Sequence, residues 1–129
     1  MIFALSRQLL MFLLAGLAQL LLDWALFVLL SHAGLALVAA NVAGRLAGAC
    51  LGFWLNGRFT FAQAGQSRLT RSSLVRFVPA WLALTALSTL LLSLLAQRYD
   101  LHAAWLAKPA VEALMAAIGF VVWRQWVFR

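Results

Sequence analysis

Apolar residues run along this chain in long unbroken blocks, at 9–30, 35–55, 74–96 and 103–122. Leu and Ala dominate the blocks, β-branched stretches are few, and there is no period of two. The pattern predicts helices that are apolar on every side, not the strands of a β-barrel. About 20 helical residues rise about 30 Å, the thickness of a bilayer's hydrocarbon. The expected architecture is an all-α integral membrane protein, a single domain over 1–129 with four transmembrane helices. Two connections, 31–34 and 97–102, are short, and only 57–73 is long. The first block could pass for a signal peptide, with Arg7 before it and Ser31-His32-Ala33 as a cleavage-like end. Its length and Asp23 argue for a retained helix instead.

Composition narrows the class. Hydrophobic residues make up 66% of the 129 and charged residues only 10%, against about 25% charged in an ordinary soluble domain. A soluble globular domain, a disordered tail and a disulfide scaffold are excluded, the last also because Cys50 is the single cysteine. Four spans leave no room for a soluble catalytic domain, so no enzyme activity and no cofactor are expected. No metal site is expected either, because His32 and His102 have no His or Cys near them in sequence.

The net charge of +7 would suggest nucleic acid in a soluble protein, but the placement of the charges points elsewhere. Arg7, Arg58, Arg68, Arg71, Arg76, Arg124 and Arg129 fall on one side of the expected spans and Arg98 on the other. The excess of basic residues predicts that both termini and the 57–73 loop are cytoplasmic. A nucleic-acid partner is not expected. Trp54, Phe59, Phe61, Trp123, Trp126 and Phe128 sit at the same end and form the expected interfacial aromatic belt.

The halves of the chain resemble each other. Gly52-Phe53 followed by Arg58-Phe59-Thr60-Phe61 matches Gly119-Phe120 followed by Arg124-Gln125-Trp126-Val127-Phe128. The shift of 67 residues also sets Asn41 over Lys108 and Arg45 over Glu112, and Arg7 precedes the first half as Arg76-Phe77 precedes the second. Two repeated hairpins are expected, 7–61 and 76–128, related by an axis near the membrane normal.

Asp23, Arg45, Lys108 and Glu112 lie inside the apolar blocks, with Asn41 beside them. Each charge at mid-bilayer costs roughly 2.5–3.5 kcal/mol on insertion scales, so intramembrane charge is a functional signal by default. Counting along the helices puts all five between the midplane and the outer third. They could form an ion-paired clamp, for example Asp23 with Arg45 and Lys108 with Glu112. They could also form a polar cavity that accepts a charged or hydroxyl-rich headgroup. Pro109 leaves two starts open for the fourth helix, near Ala103 with a kink or at Pro109 itself. The second helix also carries Ala36, Ala40, Gly44, Gly48 and Gly52 at every fourth position. This small-residue stripe lets another helix approach closely, within the chain or from a second copy. A homo-oligomer is expected on that ground.

The stretch Leu55-Asn56-Gly57-Arg58-Phe59-Thr60-Phe61, the ending with Phe120, Arg124, Trp126, Val127 and Phe128, and the opening with Arg7, Phe12, Gly16 and Asp23 resemble the GtrA-like family. This is the transmembrane domain attached to some dolichol-phosphate-mannose-type synthases, and the resemblance covers nearly the whole chain. It implies translocation of a polyprenyl-phosphate-linked monosaccharide, such as undecaprenyl-phosphate glucose, across a bacterial cytoplasmic membrane for cell-surface polysaccharide synthesis. In that role Asn56, Arg58, Arg76 and Arg124 would contact phosphate and lipid at the cytoplasmic face. Asp23, Asn41, Arg45, Lys108 and Glu112 would receive the headgroup deeper, and partners would include membrane lipids and glycosyltransferases of the same pathway. Two other roles compete: a non-transporting scaffold for a polyprenyl-phosphate glycosyltransferase, and a small proton-coupled multidrug exporter with Asp23 as its acid.

Overall fold

The computed structural model describes residues 2–55 and 71–122, and the regular elements over that range are all helices. Helix α1 spans Ile2–His32, α2 Leu37–Leu55, α3 Arg71–Arg98 and α4 Leu101–Val122. These fall on the four apolar blocks. Asn56, Arg58, Arg124, the aromatic endings from Phe59 to Phe61 and from Trp123 to Phe128, and most of the 57–73 connector lie outside the described residues.

Local chemistry explains the helix ends. The α1–α2 turn closes on Gly34, whose φ of 106° suits only a residue without a Cβ. Leu35 N donates to Leu30 O at 3.0 Å and Gly34 N to Ser31 O at 3.2 Å. This paired closure satisfies carbonyls that the helix end would otherwise leave bare. At the start of α4, Asp100 Oδ1 accepts from Ala103 N at 2.9 Å, the geometry of an N-cap. The cap settles the two starts left open by the sequence: α4 begins at Leu101, and Pro109 lies inside it.

The helices stand in a square, in the order α1, α2, α3, α4 around it. The most extensive contact joins α1 to α2, followed by α3 with α4, while α2–α3 and α1–α4 are slighter. Among the described residues the diagonal pairs, α1–α3 and α2–α4, do not pack backbone to backbone. Two stretches, Leu9–His32 and Val75–Arg98, are long and apolar enough to cross a bilayer, and Leu37–Gly52 is a shorter apolar stretch. Lys108 and Glu112 interrupt the apolar run of α4.

Burial is inverted relative to a soluble protein. Leu9, Leu13, Leu17, Leu21, Leu29, Leu82, Leu90, Leu94 and Leu106 are exposed, while Asp23, Asn41, Arg45, Thr85, Ser88 and Lys108 are buried. Leucines facing outward cost nothing where the surroundings are lipid. The buried apolar residues Phe27, Ala40, Leu84, Leu92, Ala104, Val111 and Met115 form one cluster. Phe27, Ala40, Leu92 and Ala104 fill the end near the two turns, and Leu84 and Met115 fill the opposite side. Between them lies a layer of polar side chains.

Candidate functional site

The polar layer is built from all four helices. α1 supplies Asp23, α2 supplies Asn41 and Arg45, α3 supplies Thr85, Ser88 and Thr89, and α4 supplies Lys108 and Glu112. Lys108 is the centre and is completely buried. Its Nζ donates to Asn41 Oδ1 at 2.6 Å and to Glu112 Oε1 at 3.0 Å, and it pairs with Asp23 Oδ1 at 2.9 Å. An ammonium has three protons, and three oxygens surround this one. The Phe27 ring lies 5.1 Å away on the turn side.

Arg45 is the second cation. Its Nη1 reaches Glu112 Oε2 at 2.5 Å, and its Nε donates to Thr85 Oγ1 at 2.8 Å. The Trp81 ring lies 5.8 Å from the guanidinium carbon. Glu112 thus bridges the two cations, one on each carboxylate oxygen, and also accepts from Ser88 Oγ at 3.1 Å. Asn41 Nδ2 donates to Ser88 Oγ at 3.2 Å and to Thr89 Oγ1 at 2.9 Å, and Thr89 Oγ1 donates to Thr85 O at 2.7 Å. Two bases against two acids make the layer neutral. Such pairing, with hydrogen bonds on the remaining positions, is what a buried charge needs to persist in low dielectric.

One atom departs from this saturation. Asp23 Oδ1 is buried and has its ion contact with Lys108, yet no donor is aligned to hydrogen-bond it. It is an acceptor with unused capacity at the heart of the layer.

The structure therefore brings all five sequence-predicted intramembrane residues together. Of the two pairs in the expected example, Lys108 with Glu112 is present and Asp23 with Arg45 is not. Arg45 meets Glu112, and Asp23 meets Lys108, because neighbouring positions on α2 point about 100° apart. Gly44 faces Asp23, and Arg45 points onward to α3 and α4. Both contacts between α2 and α4, Arg45–Glu112 and Asn41–Lys108, join residues 67 apart. They cross the diagonal of the square, where only long side chains can span the gap. Arg76 is half-buried in the early turns of α3, nine residues before Thr85, which is about 13 Å along the helix.

Sequence reading missed the hydroxyls of α3. Thr85, Ser88 and Thr89 occupy positions i, i+3 and i+4, one face of an otherwise Leu-rich helix. That spacing was the available signal. It also missed a latch at the turn end. Pro109 has no N–H to give the carbonyl four residues earlier. That carbonyl, Trp105 O, accepts instead from Trp24 Nε1 at 2.8 Å. Trp105 Nε1 donates in turn to Ser31 Oγ at 2.8 Å, and His32 and His102 stand edge-on to its ring at 5.9 and 4.7 Å.

The glycine stripe is occupied inside the chain. A Cβ on Gly44 would lie 2.6 Å from both Asp23 O and Asp23 Oδ1, and one on Gly48 would lie 3.1 Å from Gln19 O. Gly52 faces the Gln19 side chain in the same way. The glycines hold α1 against α2 and so fix the height of Asp23 beside Lys108.

A family model described as GtrA/DPMS, transmembrane domain, matches residues 11–128. No curated protein and no solved structure matches the chain.

Proposed function

Since the chain belongs to the GtrA/DPMS transmembrane-domain family and is a membrane protein, we propose that it translocates a polyprenyl-phosphate-linked monosaccharide. Undecaprenyl-phosphate glucose is the type of substrate meant, carried across the bacterial cytoplasmic membrane for cell-surface polysaccharide synthesis or modification. The prenyl tail stays in lipid while the sugar-phosphate head passes between the helices. No bond is made or broken, so the role is not that of an enzyme.

One observation carries this reading. Glu112 holds a single anionic group between Arg45 and Lys108, one cation on each oxygen. A substrate phosphate has the same charge sign and the same capacity to accept from both. It can take the place of Glu112, so binding exchanges one set of charge-assisted bonds for another instead of stripping two cations bare. Thr85, Ser88, Asn41 and Asp23 Oδ1 then offer hydrogen-bond partners to the sugar hydroxyls. In this structure the layer is closed, with Lys108 and Asn41 fully buried.

In liposomes, a labelled polyprenyl-phosphate sugar is expected to cross faster with the protein than without it. Arg45→Ala and Glu112→Gln are expected to remove most of that acceleration. Rates equal to protein-free liposomes, or variants as fast as the unaltered chain, would refute the translocation role. The closed, neutral layer also suits a non-transporting scaffold for a polyprenyl-phosphate glycosyltransferase. Co-purification with such an enzyme, without any translocation by the protein alone, would establish that role instead.

A further inference from the structure

Two apolar grooves lie on the flanks of the square, one in each sequential helix pair. The first is lined by Met11, Leu14, Ala15 and Ala18 of α1 with Leu55 of α2, and has a volume of about 240 Å³. The second is lined by Pro79, Ala80, Ala83, Leu84 and Leu87 of α3 with Ile118 and Val122 of α4, and has a volume of about 450 Å³. All five lining positions of the first groove recur among the seven of the second. Adding 69 to the four α1 numbers gives 80, 83, 84 and 87, and adding 67 to Leu55 gives 122. The same shift of 69 carries Arg7 onto Arg76.

Arg7 stands four residues before the first lining residue of its groove, and Arg76 three before Pro79. The sets Arg7, Met11, Leu14, Ala15, Ala18 and Arg76, Ala80, Ala83, Leu84, Leu87 both follow the spacing i, i+4, i+7, i+8, i+11. That spacing is one continuous face of a helix. Each face is therefore a hydrocarbon furrow with a guanidinium one turn beyond its end, at the end of the square where α1 and α3 begin. The ligand chemistry that fits is a hydrocarbon chain with an anionic head, and Arg is the side chain best shaped for phosphate. Each furrow is a single cleft between two helices, which suits a one-chain lipid.

We propose that these grooves are paired sites for two polyprenyl monophosphate lipids, one chain in each groove, with the phosphates held at Arg7 and Arg76. The proposal rests on the translocation reading for its choice of lipid, and it adds a second site that a single-substrate path does not need. The grooves are matched but not identical. Pro79 and Ile118 line the second groove without counterparts in the lining of the first.

Native mass spectrometry of the full chain, titrated with undecaprenyl phosphate and separately with phosphatidylglycerol, tests this. Two bound copies of undecaprenyl phosphate are expected. Arg7→Gln and Arg76→Gln should each weaken one site by roughly tenfold or more, leaving one copy. Ala15→Phe and Ala83→Phe, which fill one groove and leave both arginines, should each also leave one copy. Circular dichroism of every variant checks that helix content is kept, and Arg7→Lys and Arg76→Lys should retain part of the lost binding. Fewer than two copies on the unaltered chain, two copies retained in all four variants, or equal binding of phosphatidylglycerol would overturn the proposal. Two copies bound without translocation in liposomes would instead sink the translocation role and leave the paired sites standing. Translocation by a chain that binds one copy would do the reverse.

Discussion

Helix α2 joins its neighbours by two opposite methods. Toward α1 it offers Gly44, Gly48 and Gly52, and the helices meet almost backbone to backbone. Toward α3 and α4 it offers Asn41 and Arg45, and the polar part of the meeting runs through long or hydroxyl-bearing side chains. The first seam is made of shape. Its contacts have no substitute, and any added atom must push a backbone aside. The second seam is made of charge-assisted hydrogen bonds, each of which an incoming ligand could replace. A protein that must open for a polar headgroup would keep α1 and α2 together and part the polar seam. The contrast assigns rigidity to one face of a single helix and exchangeability to the other.

The strongest way to break this contrast is to remove the shared cation. Lys108→Met leaves Asp23 and Glu112 without their common partner, and a loss of about 3–5 kcal/mol is expected, as for breaking one side of a buried ion pair. Unfolding in a detergent titration would measure it, and an unchanged midpoint would mean the polar seam contributes no stability. A charge exchange sharpens the point. Arg45→Glu and Glu112→Arg should each be about as damaging as Lys108→Met, while the double variant should recover at least half of the loss. If the double variant is no better than either single one, the pair is not an independent unit.

On the glycine seam, Gly44→Ala is expected to cost about 1–3 kcal/mol, the usual range for overpacking. Its Cβ would press on both the carbonyl and the carboxylate of Asp23. It should also reduce translocation by displacing Asp23. The smallest effect belongs to Gly16→Ala on the same hairpin, where a Cβ meets nothing within 4 Å. A change within about 0.5 kcal/mol is expected there, and the better helix propensity of Ala favours the variant. Equal costs at Gly44 and Gly16 would show that the α1–α2 seam is looser than its geometry implies.

Much of this was legible in the chain. Long apolar blocks fixed the four helices because nothing but a helix satisfies its own backbone over such lengths. Intramembrane charges are rare enough that Asp23, Arg45, Lys108 and Glu112 stood out on their own. The Lys108–Glu112 pair followed from its i, i+4 spacing on one helix, but the partners on other helices did not, because that pairing depends on rotation about each helix axis, which the apolar pattern leaves undetermined when every face is apolar. Thr85, Ser88 and Thr89 escaped notice because hydroxyls are cheap in a helix, where they can bond the preceding turn as Thr89 does. The Trp24–Trp105 latch was hidden for another reason. A proline in a helix announces a free carbonyl, but not which donor from another helix will find it.

The neutrality of the polar layer also has an electrical consequence. Its two bases and two acids sum to zero, so a membrane voltage does little net work on the layer when it shifts as a unit. In the proposed role, the charge that crosses is the substrate's own phosphate. An interior-negative potential supplies roughly 2.3 kcal/mol per elementary charge per 100 mV, and it drives an anion outward. A self-cancelling cluster of this kind would let the cell's resting voltage favour delivery to the outer leaflet, with no ion gradient coupled to the protein.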